Sequence, residues 1–218
     1  MRASVSTGDL DGLNAAIGSG VVLPYAVALA PAPLLTAGAL MWPWDHAHRV
    51  LHRWRTWTAS LAEDVTSVGR LVRAPHLAGV APALRGRAFV VVEVAIMGEP
   101  GIGRLAALRA LEPEVDTVAL ASAQELRARQ LPAEGAHTIG EHLLLRGLPG
   151  PALDTFIAAA GPGSGSELVA AELRHLGGEE FAVVGLGIAA DSEQAERVRI
   201  GLGQLARRLA PWAHAPAA

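Results

Sequence analysis

The run Phe89 to Met97 (FVVVEVAIM) constrains this chain more than any other segment. It is β-branched and apolar on both faces apart from Glu93, the composition of a strand held inside a sheet and covered from two sides. By period two, Glu93 shares a face with Phe89, Val91 and Ala95. A carboxylate in that setting must be paired, protonated or turned toward a cavity. Glu93 is therefore a candidate site group, with a structural salt bridge to an arginine as the other reading.

The flanking periodicities place this strand in a layer of sheet and helices. Leu34 to Trp42 reads as a strand. Asp45 stands where an N-cap belongs, before a helix to about Leu61 with Val50, Leu51, Trp54, Trp57 and Leu61 on one face. Val65 to Arg73 reads as a strand. After Met97 come a Gly-rich turn, a short helix from about Arg104 to Leu111, a stop at Pro113 and a strand from Val115 to Ala121. The order is β-α-β-β-α-β, that of a ferredoxin-like split unit. Farther on, Ser122 with Glu125 forms a capping box, Gly150-Pro151 opens a helix that closes at Gly161, and Phe181 to Ala190 reads as a strand. Asp191 with Gln194 caps a last helix in which Ala195, Val198, Leu202, Leu205 and Leu209 keep three-four spacing. Glu167 to Leu176 fits either helix or strand. The expected fold class is α+β, a mainly antiparallel sheet covered by helices.

Composition removes several function classes. At 218 residues with 51% hydrophobic and 18% charged side chains, the chain is globular and can bury a substantial core. A net charge of −3 offers no field for nucleic acid. Cysteine is absent, which excludes disulfides, thiolate metal sites and thiol nucleophiles. All 18 basic residues are Arg, so a lysine Schiff base and the P-loop lysine are excluded too. Gly12 to Trp44 carries no charge, but Pro24, Pro31 and Pro33 interrupt it and Asp9 and Asp11 precede it. It reads as a buried or poorly ordered segment rather than a signal or anchor, and a cytoplasmic location without membrane contact is expected.

Five further constellations carry candidate chemistry. Gly101-Ile102-Gly103-Arg104-Leu105-Ala106 matches G-x-G-x-x-A after a strand, yet Asp116 comes too early for the ribose-binding acid. It reads as an ordinary Gly-rich turn. Asp45, His48 and His52 share a helix face and could ligate a metal, but no further ligand is evident, and Arg49, Arg53 and Arg55 alongside read as a solvated face. No metal is assigned. Trp42, Trp44, Trp54 and Trp57 read as a core seam, with an apolar pocket wall as the alternative. Read as a strand, Glu172 and Arg174 share one face while His175 joins Val169, Ala171 and Leu173 on the other. The loop Gly161 to Ser166 (GPGSGS) has no lysine and no P-loop signature after it.

Several segments taken in order resemble a known family. They are Ala37-Gly38-Ala39-Leu40-Met41-Trp42-Pro43, Asp64-Val65-Thr66-Ser67, Leu84-Arg85-Gly86-Arg87, Val90-Val91-Val92-Glu93, Leu108-Arg109-Ala110-Leu111, Asp116-Thr117, Gly161 to Ser166 and Glu172-Leu173-Arg174-His175-Leu176-Gly177-Gly178. Together they are similar to the substrate domain of bacterial FAD-linked oxidases related to the berberine bridge enzyme, over about residues 34–178. The resemblance implies an antiparallel sheet that roofs a flavin, with FAD held by a separate domain. Gly18-Ser19-Gly20-Val21-Val22 and Tyr25 to Leu29 resemble only the tail end of that flavin domain. The stretch after Gly178 departs from the family, as does the end of the chain.

On this resemblance residues 1–33 are a remnant of the flavin domain, poorly ordered or packed on the core. Residues 34–212 form the substrate-type α+β domain, and 213–218 are a disordered tail. The implied function is that of a detached or truncated substrate-binding domain of a FAD-dependent oxidoreductase. In the intact family a hydride passes from a substrate C–H to flavin, and O₂ reoxidises it. Glu93, Arg174 and His175 are the catalytic candidates, and Trp42 and Glu172 the substrate-binding ones. Partners would be a small-molecule substrate and a separate FAD-binding polypeptide or a second copy. The alternative is a non-catalytic ferredoxin-like module that binds a ligand or dimerises.

Overall fold

Ten residues around Glu93 form the strand on which the sheet is built. A computed structural model describes residues 35–62, 64–76, 82–97, 101–121 and 137–214, all in one unit that begins at Leu34. The strands are β1 (Leu35–Pro43), β2 (Val65–Arg73), β3 (Ala88–Met97), β4 (Val115–Asp116), β5 (Ala119–Ala121), β6 (His137–Leu145), β7 (Ala170–Gly177) and β8 (Glu180–Ala189). The α-helices are α1 (Ala47–Thr58), α2 (Ala106–Arg109), α3 (Gly150–Ala160) and α4 (Ser192–Leu209). The sheet order is β4-β1-β3-β2-β7-β8-β6, with β5 also on β1, and every pairing is antiparallel. The α+β class, mainly antiparallel and helix-covered, holds. A six-element β-α-β-β-α-β order describes only the part up to β4, because the sheet runs on past β2 into β7, β8 and β6.

The two halves of the sheet are consecutive in sequence. Residues 35–121 supply β1 to β5 and residues 137–189 supply β6 to β8, and the pairing of β2 with β7 is the seam between them. One face is covered by helices. Val90, Val92, Val94 and Ile96 of β3 share a buried cluster there with Val50, Leu51 and Trp54 of α1, Leu153 and Phe156 of α3, and Val198, Leu202 and Leu205 of α4. Gly69 leaves room for α1, since a Cβ there would lie 3.0 Å from Leu51 and 3.1 Å from Trp54. Gly185 and Gly187 do the same for α4, where a Cβ would meet Leu202 at 2.5 Å and Val198 at 2.3 Å.

Several expectations shift in detail. Asp45 does not cap α1: it lies in a 3-10 turn, Trp44–His46, and the cap position falls to His46 without a side-chain hydrogen bond. Pro43 fixes an extended entry, and one tight turn intervenes before the α-helix can start. The strand expected from Val115 to Ala121 is two short strands, both on β1. The Glu167 to Leu176 segment resolves as strand from Ala170 onward, with β7 paired on both sides. The β6 strand was not read from the sequence. Asp191 does cap α4, its Oδ1 accepting from Gln194 N at 2.7 Å while Gln194 Oε1 accepts from Ala190 N at 2.9 Å. Pairing continues past Trp212, as Ala213 bridges Leu145 and His214 N donates to Leu144 O at 2.9 Å. The Ser122–Glu125 capping box and residues 1–33 lie outside the described residues. Among the described residues no helix is long and apolar enough to cross a membrane.

Candidate functional site

Strand parity decides which side chains meet on the face opposite the helices. Register places Ala39, Glu93, Val68 and Arg174 in one row across β1, β3, β2 and β7, and Met41, Val91, Arg70 and Glu172 in the next. Neighbours within and between these rows come within reach of long side chains. A cleft of about 450 Å³ opens over them, lined by Ala37, Ala39, Thr66, Val68, Arg70, Glu93, Ala95, Thr117 and Arg174. Its small side chains, Ala37, Ala39 and Ala95, come from β1 and β3, and its charged groups, Glu93, Arg70 and Arg174, from β3, β2 and β7.

Two carboxylates and two guanidinium groups form a chain there. Arg70 Nη1 donates to Glu93 Oε1 at 2.6 Å. Arg70 Nε lies 3.1 Å from Glu172 Oε1, an ion pair without hydrogen-bond alignment. Arg174 grips Glu172 Oε2 through Nε at 2.9 Å and Nη2 at 2.8 Å. Glu172 is almost fully buried, whereas the Glu93 side chain is 38% exposed and faces the cleft. Burial pushes the Glu93 carboxyl above its ordinary value; Arg70 opposes that shift, Glu172 adds to it and Arg174 opposes it. Glu93 is thus a half-buried carboxylate with raised proton affinity, held by one cation and open to solvent on the other side. Such a group can accept a proton from a hydroxyl or amine placed in the cleft.

Beneath it runs a buried polar relay. Trp54 Nε1 donates to Ser67 Oγ at 2.9 Å, and Ser67 Oγ donates to the Glu93 carbonyl at 2.9 Å. The relay fixes α1 against the strand that presents Glu93.

The structure brings together Glu93, Glu172 and Arg174 and adds Arg70. The cross-strand pairing that recruits Arg70 links positions 23 and 102 apart, so no local pattern signals it. It leaves His175 out: that ring lies on the helix side of β7, contacts Phe181 at 5.3 Å and has Nε2 3.1 Å from Gly178 O. Trp42 is also on the helix side, fully buried, with Nε1 donating to Leu111 O at 2.9 Å. Trp54 and Trp57 are buried there too, so these three tryptophans form the core seam rather than the cleft wall. Gly101 opens a 3-10 turn, Gly101–Leu105; its N–H donates to Thr36 Oγ1 at 3.2 Å, and a Cβ on it would strike Ile96 at 2.6 Å.

No protein-family model matches the sequence, and no curated protein does. Solved structures match the fold. Berberine bridge enzyme from Eschscholzia californica is 14% identical at a TM-score of 0.56, over 87% of this chain and 43% of its own. A BBE-like protein from Physcomitrella patens is 8% identical at a TM-score of 0.64, over 85% and 45%. For 6-hydroxy-D-nicotine oxidase from Arthrobacter nicotinovorans the identity is 18% and the TM-score 0.61, over 84% and 45%. The chain therefore has the fold of one part of these proteins and spans less than half the length of each.

Proposed function

We propose that the chain is the substrate-side half of a FAD-dependent oxidoreductase, with the flavin carried by another stretch of polypeptide. One observation carries this reading: Glu93, its proton affinity raised by burial, lines a cleft on the sheet face opposite the helices, beside the small side chains of Ala37, Ala39 and Ala95. The match to less than half of BBE-like proteins supports it at the level of fold. The alanine floor, Ala37, Ala39 and Ala95, suits a planar ring laid on the sheet. The combination of parallel strand, Gly-rich turn and helix N-terminus that holds dinucleotide phosphates in doubly wound folds is not found among the described residues, where every pairing is antiparallel. The residues present fit the ring and leave the rest of the cofactor to a partner.

Bound flavin would supply the hydride acceptor, with O₂ as its reoxidant. Glu93 would take the proton from the substrate hydroxyl or amine. Arg70 would hold the resulting charge state, Glu172 would fix Arg70, and Arg174 would close the cleft toward β7. His175 and Trp42 would act only through packing.

Riboflavin, the ring without the phosphates, tests this by amide chemical shifts. Shift changes centred on Ala39, Val68 and Ala95, abolished by Ala39→Trp, support the proposal. Changes confined to α1 and α4, or none at millimolar riboflavin, overturn it.

A second reading has its own observation. Met97, Leu144 and Leu176 are about half exposed, and by parity they lie on this same face. A second copy covering the face would bury them. Sedimentation showing a dimer that Leu176→Glu dissociates favours that reading, and a monomer for both proteins removes it.

A further inference from the structure

Away from the cleft, α1 and α3 bring three potential ligands to one point. His48 and His52 sit one turn apart on α1, and Asp154 lies in the second turn of α3. His48 Nε2 is 3.3 Å and His52 Nε2 2.7 Å from the same oxygen, Asp154 Oδ1. The imidazole centroids are 4.3 Å apart, and the ligand atoms of all three residues lie within 4.8 Å of one another. We propose that this triangle binds a divalent transition-metal ion of the zinc class, at a site separate from the proposed redox function.

Geometry and chemistry both favour it. Metal–ligand bonds of about 2.0–2.2 Å in a tetrahedral zinc site place neighbouring ligand atoms roughly 3.3 Å apart. The His48 to Asp154 separation already has that value, and the His52 contact lengthens as the metal replaces its shared proton. The two imidazole ligand atoms, within 4.8 Å of each other, adjust by rotation of the exposed His48 ring. Two imidazoles and one carboxylate select zinc, cobalt, nickel or copper over calcium and magnesium. The frame is preset: Arg55 Nη1 of α1 donates to Leu148 O before α3 at 3.0 Å, and Leu51, Leu153 and Phe156 are buried behind the two helices. His48 and His52 have the ligand spacing of the H-E-x-x-H metalloproteases, but Arg49 occupies the position of their catalytic glutamate. The site therefore lacks that hydrolytic base. It binds a metal with a fourth position left to water and cross-links α1 to α3.

Untagged full-length protein, stripped with a chelator, is titrated with Co²⁺ and followed by its visible d–d absorption, then displaced with Zn²⁺. The expected result is one tetrahedral Co²⁺ per chain at micromolar concentration, and a melting temperature that rises with free Zn²⁺. His48→Ala and Asp154→Asn alter side chains that are 71% and 54% exposed, so both should keep the far-UV circular dichroism and the metal-free melting temperature of the parent. Each should weaken Co²⁺ binding by about tenfold or more. Absence of stoichiometric binding up to millimolar Co²⁺, or an unchanged affinity in both variants, overturns the proposal. Weak binding equal in all three proteins counts as the latter, since the chain has other histidines.

Discussion

Glu93 and Asp116 respond to pH in opposite directions, and each can be tested singly. Burial raises the Glu93 carboxyl, so the folded chain keeps that proton to higher pH than the unfolded one. Its stabilising contribution is complete below the unfolded value near 4.5 and is lost as pH rises through the folded value. Glu93→Gln should therefore gain stability relative to the parent as pH rises above that point, measured by urea unfolding. A constant difference across the range would contradict the shift. Asp116 is held low by its hydrogen bond from Arg109, at 2.7 Å, and then by Val118 N. Its contribution is present above 3.8 and is lost as pH falls through the lowered value, so Asp116→Asn should flatten the acid limb of the same curves. Arg70→Met removes the cation of Glu93 and the cross-strand cation of Glu172, which Arg174 still holds, and should destabilise by about 1–3 kcal/mol. The need for a partner at Glu93 is legible in the sequence, because an apolar strand cannot hold a bare carboxylate. The identity of Arg70 is not legible, because register rather than spacing creates the contact.

At the scale of elements, small residues decide where helices sit. Ser67→Ala removes the acceptor for the buried Trp54 indole and should cost about 1–3 kcal/mol in chemical denaturation, with Ser67→Thr restoring part of the loss. Gly187→Ala forces a methyl group into Val198 and should cost about 1–3 kcal/mol. If the clash is the cause, the Gly187→Ala, Val198→Ala double variant should be destabilised by less than the sum of the two single losses, and strict additivity would count against it. The α4 helix and its cap could be read locally because period and capping residues agree. The β7 strand could not, since Ala170 to Gly177 has no preference strong enough to decide, and pairing with β2 and β8 settles it. The β6 strand was hidden by Gly140, Glu141 and His142, which break its apolar alternation. The His48–His52 pair was visible on α1, but Asp154 lies 102 positions beyond His52, and only the packing of α3 supplies it.

Across the whole molecule, the β2–β7 seam is stitched on both faces. Arg70 and Glu172 cross it in the cleft, while His52 and Asp154, with Arg55 and Leu148, cross it among the helices. Within the two halves only β2–β3 and β7–β8 pair as neighbours in sequence, whereas β1 pairs with β3, β4 and β5, and β6 with β8, across intervening elements. The seam joins residues about a hundred positions apart. It closes the longest of these loops, so docking of the two halves should be the last step of assembly, after the β2–β3 and β7–β8 hairpins have formed. A zinc clasp at the helical stitch would then act chiefly as a brake on disassembly, prolonging the lifetime of the joined state without hastening its formation.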